Sequence, residues 1–172
     1  MEKLATNVSS EVSVLYPSQC PKDFYLSSSQ ALATLANQVL PTSPYFGLFL
    51  AADAREVKAL DIGRLAQALV PRGLAYLCAW GPDCERVHDC FDEVLNESVL
   101  EPTEDNVVMT TWHDDESLEE ALWYFMNSAF ATKAYATTCR DWVIAVVGNQ
   151  GWEDTIRSYI RLRPASDCRT ID

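Results

Sequence analysis

Four continuous apolar runs constrain the fold of this 172-residue chain more than any other feature. Each run predicts a buried strand, and continuous rather than alternating apolar residues are typical of parallel strands that are covered on both faces. The four predicted strands are Tyr45–Ala51, Leu74–Trp80, Val107–Trp112 and Trp142–Val147.

Segments with apolar residues at helical spacing lie between and around these runs. Alternation of strands and helices is typical of βαβ units. The sequence therefore predicts an α/β fold, a three-layer sandwich of Rossmann or flavodoxin type, with a mostly parallel sheet of four to five strands and helices on both faces. The predicted helices are about Ser28–Leu40, Arg55–Val70, Pro82–Glu97, Asp115 or Ser117 to Lys133, and Trp152–Leu162.

The chain has the length of one ordinary domain, and we predict a single α/β domain over residues 1–172. Residues 1–22 are expected to form an N-terminal arm or an edge strand, for which the alternating segment Glu11–Pro17 is the candidate, and residues 163–172 a C-terminal tail. The N-terminus shows no apolar signal sequence and no run is long enough to span a bilayer. A cytoplasmic protein without membrane contact is therefore expected.

The negative charge of the chain is concentrated in one block. Residues 81–130 contain fourteen Asp and Glu and a single basic residue, Arg86, whereas the segments before and after this block are close to neutral. Such a field repels nucleic acids and anionic membranes and favours basic partners or cations. We therefore expect no nucleic-acid binding, and a protein partner that is basic.

Polar residues follow the predicted strands, where open α/β sheets bind their ligands. The loops lack the G-x-G-x-x-G pattern and the lysine of phosphate sites, and two of them are acidic, which disfavours nucleotide binding. The residues of this candidate site are Asp53, Asp83, Cys84, His113, Asp114, Asp115, Asn149 and Trp152, with His88 one turn into a helix.

Cys84, His88 and Asp92 lie along one side of the predicted helix Pro82–Glu97. A thiol near a helix N-terminus and beside an imidazole is a candidate nucleophile, since its pKa would be lowered. The favoured alternative is a packed cysteine with a histidine at the boundary of the core. The six cysteines include no Cys-x-x-Cys pair, so no structural zinc site is predicted.

His113, Asp114 and Asp115 carry a second pair of interpretations. They are candidate ligands of a divalent metal, together with carboxylates from neighbouring loops. The favoured interpretation is that the acids precede a helix whose capping box consists of Ser117 and Glu120. No cofactor is predicted, a divalent metal remains the alternative, and capping gives no reason for His113.

The helix that follows this capping box shows two apolar faces. One stripe fits the core, whereas Trp123, Met126 and Phe130 fall on a different side. These three residues predict either further burial within the monomer or an aromatic interface with a protein partner or a second copy. The acidic rim of that interface would be Glu116, Glu119 and Glu120.

The stretches WGPDCERVHDCFDEVL and TTWHDDESLEEALWYF resemble those of a family of small uncharacterised bacterial proteins, a domain of unknown function. The resemblance covers about residues 45–150. It implies a bacterial origin, and it implies no activity, cofactor or catalytic residue.

Two classes of function remain open. The favoured one is an acidic protein-binding regulator, of the immunity or antitoxin type, that acts on a basic partner. The alternative is a small-ligand sensor or metal-dependent enzyme, with its site at the carboxyl ends of the strands. The sequence assembles no complete catalytic constellation, which favours binding.

Overall fold

The computed structural model describes residues 1–7, 20–39, 41–98, 103 and 105–162. Strands and helices alternate along most of this part of the chain. The strands are β1 (Glu2–Asn7), β2 (Lys22–Ser29), β3 (Tyr45–Ala51), β4 (Leu74–Trp80), β5 (Met109–His113) and β6 (Cys139–Val147). The helices are α1 (Leu32–Leu35), α2 (Ala59–Leu69), α3 (Cys84–Ser98), α4 (Leu118–Asn127) and α5 (Gln150–Leu162), and a 3₁₀ turn spans Val70–Arg72.

The six described strands form one sheet in the order β1-β2-β6-β3-β4-β5. All neighbouring pairs are parallel except β1 and β2, which are antiparallel. The last strand in sequence, β6, lies between β2 and β3 and pairs with both. The carboxyl ends of the five parallel strands therefore meet along one edge of the sheet.

Helices cover both faces of the sheet. The first three helices pack on one face, around the side chains of Leu48, Leu50 and Leu77. Helices α4 and α5 pack on the other face, where Phe49 and Trp142 lie. The α/β class and the three-layer sandwich with a mostly parallel sheet are thus confirmed, because each sheet face has its own buried apolar layer.

The four apolar runs are all strands. β3 and β4 have the predicted bounds, whereas β5 runs from Met109 to His113 and β6 begins at Cys139. The sheet has six described strands instead of the predicted four to five, because the N-terminal region contributes both β1 and β2. Within residues 1–22, the edge strand is Glu2–Asn7, while the candidate segment Glu11–Pro17 and the predicted tail 163–172 lie outside the described residues.

The predicted helix at Ser28–Leu40 is wrong over most of its length. Residues up to Ser29 belong to β2, which pairs with β6 from Asp23 to Ser29, and the helix is limited to Leu32–Leu35. The apolar stripe was correctly assigned as buried, since Leu32, Leu35 and Val39 are in the core. The sheet overrides the local helical pattern because both edges of β2 find partner strands.

The predicted helix to Lys133 is also too long. α4 ends at Asn127, and the buried ammonium of Lys22 lies there, donating hydrogen bonds to the carbonyls of Phe125, Met126 and Ala129. A cation at a helix C-terminus satisfies carbonyls that have no partner within the helix. In the part of the chain that the structure describes, no helix is long and apolar enough to cross a membrane.

Candidate functional site

Two of the aspartates predicted for the strand ends, Asp53 and Asp83, each have an arginine two or three residues later in the chain as partner. The guanidinium of Arg55 donates to both carboxylate oxygens of Asp53, at 2.9 and 2.5 Å, and these hydrogen bonds hold the pKa of Asp53 below its usual range. Asp83 has a left-handed backbone with φ of 65° and accepts from Arg86 Nε at 2.7 Å. Arg86 also donates to the carbonyls of Ala54 and Val57, so it joins the two loops.

Asn149 and Trp152 begin α5 rather than project together into a site. The side-chain oxygen of Asn149 accepts from the backbone N–H of Trp152 at 3.1 Å, which satisfies a free N–H of the first helical turn. The Trp152 ring lies edge-on to Trp80 at 5.1 Å. Both residues therefore have a structural role.

His113 joins the end of β5 to the start of α4. It is only 7% exposed, and its Nδ1 lies 2.8 Å from Glu116 Oε2 while its Nε2 lies 3.3 Å from Thr111 Oγ1. The ring also packs on Tyr124 at 4.7 Å between centroids. The local contacts thus give His113 the structural reason that helix capping alone did not provide.

The predicted metal ligands do not come together. Asp114 and Asp115 are exposed, and the nearest acidic partner of His113 is Glu116. Among the described residues, no three His, Cys, Asp or Glu side chains are grouped so that they would hold a metal ion. The favoured capping interpretation is seen directly, because Ser117 and Glu120 form a reciprocal capping box.

The predicted nucleophile Cys84 is almost fully buried, and burial raises the pKa of its thiol. Burial therefore opposes the activation by the helix N-terminus on which that hypothesis rests. His88 hydrogen-bonds Thr110 Oγ1 at 3.1 Å, lies 3.4 Å from Asp92 Oδ2, and packs on the ring of Trp112 at 4.6 Å. Cys84 has the packing role that the alternative interpretation gave it.

The outer face of α4 combines an aromatic side chain with acids. Trp123 is 53% exposed, and Glu119 and Glu120 lie one turn before it on the same side of the helix. Glu116 is also exposed, immediately before the helix. This outer face, which we call the Trp123 face, consists of Trp123, Glu116, Glu119 and Glu120.

Two residues predicted for the same surface are located elsewhere. Met126 is 3% exposed and packs in the core with Phe125, so it is not available to a partner. Phe130 lies beyond the end of α4, is half-buried, and has the ammonium of Lys22 4.5 Å from its ring centre. The prediction was wrong for Met126, because α4 turns this residue towards the sheet and not towards solvent.

A cleft of about 520 Å³ lies where the carboxyl ends of β2, β6 and β3 meet. Of the residues that the sequence indicated, Asp53 lines it. The remaining lining was missed, because only the insertion of β6 between β2 and β3 brings these loops together. The polar and charged lining residues are Gln30, Asp53, Glu56, Lys58 and Asp61, and Ala33 and Gly148 are among the other residues that line it.

The exposed edge of β5 was also missed. Met109 is 39% exposed and Trp112 is 43% exposed, although the apolar run had predicted a strand covered on both faces. The reason is the position of β5 at the end of the sheet, where it pairs with β4 alone among the described strands. A sequence run does not show whether a strand has one neighbour or two.

A family model described as a domain of unknown function (DUF7684) matches residues 24–162, which confirms that the chain contains a domain of unknown function, as the resemblance predicted. No curated protein and no solved structure matches the chain.

Proposed function

This chain belongs to the DUF7684 family, and we propose that it is a regulatory module that binds a basic protein partner. The observation that carries the proposal is the exposure of Trp123 one turn after the acidic start of α4. Large aromatic side chains surrounded by polar residues are typical centres of protein interfaces. In this proposal the chain acts as bacterial immunity proteins and antitoxins do, and blocks a cytoplasmic partner by covering its basic surface.

The charge distribution supports the sign of the partner. Fourteen Asp and Glu and one basic residue lie within residues 81–130, which include α3, β5 and α4. Opposite charges on two surfaces accelerate their association and exclude partners of the wrong sign. A basic partner would therefore meet the Trp123 face with its own positive potential.

The contacts of four residues proposed for catalysis support a binding function rather than an enzyme. Asp53 and Asp83 are paired with arginines, His113 with Glu116, and the Cys84 thiol is buried. A general acid, base or nucleophile must reach its substrate, and the His113 ring and the Cys84 thiol are buried. The geometry thus favours a protein that recognises a surface.

Replacing Trp123 with alanine tests the proposal. The partner would be captured from an extract of the source organism, purified, and titrated calorimetrically against wild type and variant. We expect Trp123→Ala to weaken binding at least about tenfold, because a central aromatic anchor commonly contributes more than ~1.4 kcal/mol. We also expect the affinity to fall with added salt.

The matched control is Leu60→Ala. Leu60 is 62% exposed, but it lies on α2 outside the acidic block. Its replacement should leave the affinity unchanged. A captured partner that is acidic, or equal affinities of wild type and Trp123→Ala, would contradict the proposal.

The cleft favours a second candidate function, the binding of a small molecule. It lies at the carboxyl end of β6. The chain continues from β2 and β3 to helices on one face of the sheet and from β6 to a helix on the other face, and α/β sheets bind ligands at such a point. Three carboxylates and one lysine line it, so an amine or a polyhydroxylated molecule would fit better than a phosphate.

A variant that fills the cleft distinguishes this second candidate. Ala33 lines the cleft and is exposed, so Ala33→Trp should occupy the cleft without disturbing the core. A panel of amines, sugars and nucleosides would be screened by thermal shift. A ligand of the cleft raises the Tm of wild type and not of Ala33→Trp. Equal shifts in both proteins, or none in either, would rule out the cleft as a binding site for these classes.

A further inference from the structure

The two outer edges of the sheet differ in how they are protected. β1 carries Glu2 and Lys3, which form ion pairs with Arg157 and Asp23, and its register shifts between Lys3 and Ala5. Charged side chains and bulges are the features by which natural edge strands avoid pairing with another chain. β1 is therefore an edge with the usual protection.

β5 lacks this protection. Its residues Met109–His113 include no Asp, Glu, Lys, Arg or Pro, and its register with β4 runs without a bulge. Met109 and Trp112 are exposed, and no described strand pairs with the outer side of β5. Such an edge presents backbone N–H and C=O groups to an incoming strand.

The side chains on one face of β5 are held in place. Thr110 Oγ1 donates to Asp92 Oδ1 at 2.8 Å and hydrogen-bonds His88, and the ring of His88 supports Trp112. Because alternate residues of a strand face the same side, Thr110 and Trp112 form one surface beside α3. An edge whose exposed tryptophan is positioned in this way offers a defined contact to a partner side chain.

Carboxylates flank this edge on both sides. Asp89 and Asp92 of α3 lie on the Trp112 side, and Glu116 lies on the α4 side. Asp89 and Glu116 are exposed, and Asp92 is half-buried. A second copy of the chain would bring the same carboxylates face to face, against a formal net charge of −12. An arginine-rich strand would meet opposite charge, and its guanidinium groups would stack on Trp112.

We propose that β5 accepts an extended basic segment of the partner protein as an additional strand of the sheet. Alternate side chains of that segment would lie on Trp112 between Asp89 and Asp92, while its backbone pairs with β5. The inference rests on the proposed function for the sign of the partner's charge. It adds a contact made by backbone hydrogen bonds, which shares only Glu116 with the Trp123 face.

A short peptide that alternates arginine and valine is the probe, and the full chain is observed by heteronuclear NMR. We expect the amide signals of Met109–His113 to shift, and the hydrogen exchange of the outward-pointing amides among them to slow, when the peptide binds. Trp112→Ala should weaken binding of the peptide about tenfold. Asp89→Lys changes an exposed side chain and leaves the core intact, so it should weaken binding of the peptide severalfold through charge alone.

Two controls separate strand pairing from simple charge attraction. The same peptide with proline in place of valine keeps its charge but cannot pair as a strand, so it should not protect the β5 amides. Trp123→Ala should leave the affinity for the alternating peptide unchanged. Equal protection by the proline peptide, or shifts confined to α4, would overturn the proposal.

Other occupants of the edge give distinct results, and each would overturn the proposal. Dimers in sedimentation that Trp112→Arg dissociates would show that a second copy of the chain pairs with β5. Slow exchange of the outer β5 amides in the free monomer would show that the chain covers its own edge. The proposed function is tested separately. If a partner binds wild type but not Trp123→Ala, and leaves the β5 amide signals unchanged, the proposed function stands and the pairing with β5 does not.

Discussion

Two core thiols that keep their protons in the folded state are expected to lower the stability of the protein by about 3 kcal/mol between pH 8 and pH 10. Burial raises the pKa of Cys78 in β4 and of Cys139 in β6 far above the ordinary value of 9.0. In the unfolded chain both thiols ionise above about pH 9. Their contribution to stability is therefore complete below that pH and is lost as the pH rises towards the folded-state pKa, by about 1.4 kcal/mol per thiol at pH 10.

Urea unfolding at the two pH values measures this effect. Because the strongly negative chain also repels itself at alkaline pH, the control is the double variant Cys78→Ala, Cys139→Ala under the same conditions. The variant will be less stable at both pH values, but its loss between pH 8 and pH 10 should be smaller by about 3 kcal/mol. An unchanged pH difference would show that these thiols ionise in the folded protein.

The sequence predicted the central strands because their burial leaves a local pattern. β3 and β4 are covered on both faces, and every position along them is apolar or small. β2 was missed because its pattern is mixed, with three serines at the end, and it runs into residues with helical spacing. Its strand conformation depends on β6, which lies more than a hundred residues later in the chain and pairs Asp23 with Asp141.

The candidate site depended still more on distant pairing. The carboxyl ends of the strands were predicted correctly as positions along the chain, yet the cleft is formed by the loops after β2, β3 and β6. Strand order decides which loops meet, and no local pattern encodes it. The same limit applies to Trp112, since the run that contains it does not distinguish an edge strand from a central one.

The helical pattern of α4 was informative about Trp123 and misleading about Met126. Both were assigned to a second apolar face, but Met126 is turned into the core and Trp123 remains outside. Lys22 ends the helix after Asn127 and lies against Phe130, so the predicted surface loses its third member as well. A lysine is rarely buried, and its place at this helix end requires the position of β2.

Phe125→Ala is expected to lower the free energy of unfolding by about 3–5 kcal/mol, the range for removal of a large ring from a close-packed core. Phe125 is fully buried and contacts the rings of Phe24, Phe49 and Trp142, from three different strands. It therefore fixes α4 to β2, β3 and β6 together. The loss would be measured as a shift of the urea midpoint, and Phe125→Leu, which leaves a smaller cavity, should cost less.

The matched control for Phe125→Ala is Trp123→Ala, two residues earlier on the same helix. Because most of the Trp123 side chain is in water, its replacement should change stability by less than about 0.5 kcal/mol. A large loss for Phe125→Ala and almost none for Trp123→Ala would show that one face of α4 packs in the core and that Trp123 is left for a partner. If Trp123→Ala instead destabilised the protein as much as Phe125→Ala, Trp123 would be part of the core, and lost partner binding in that variant would indicate unfolding rather than a missing contact.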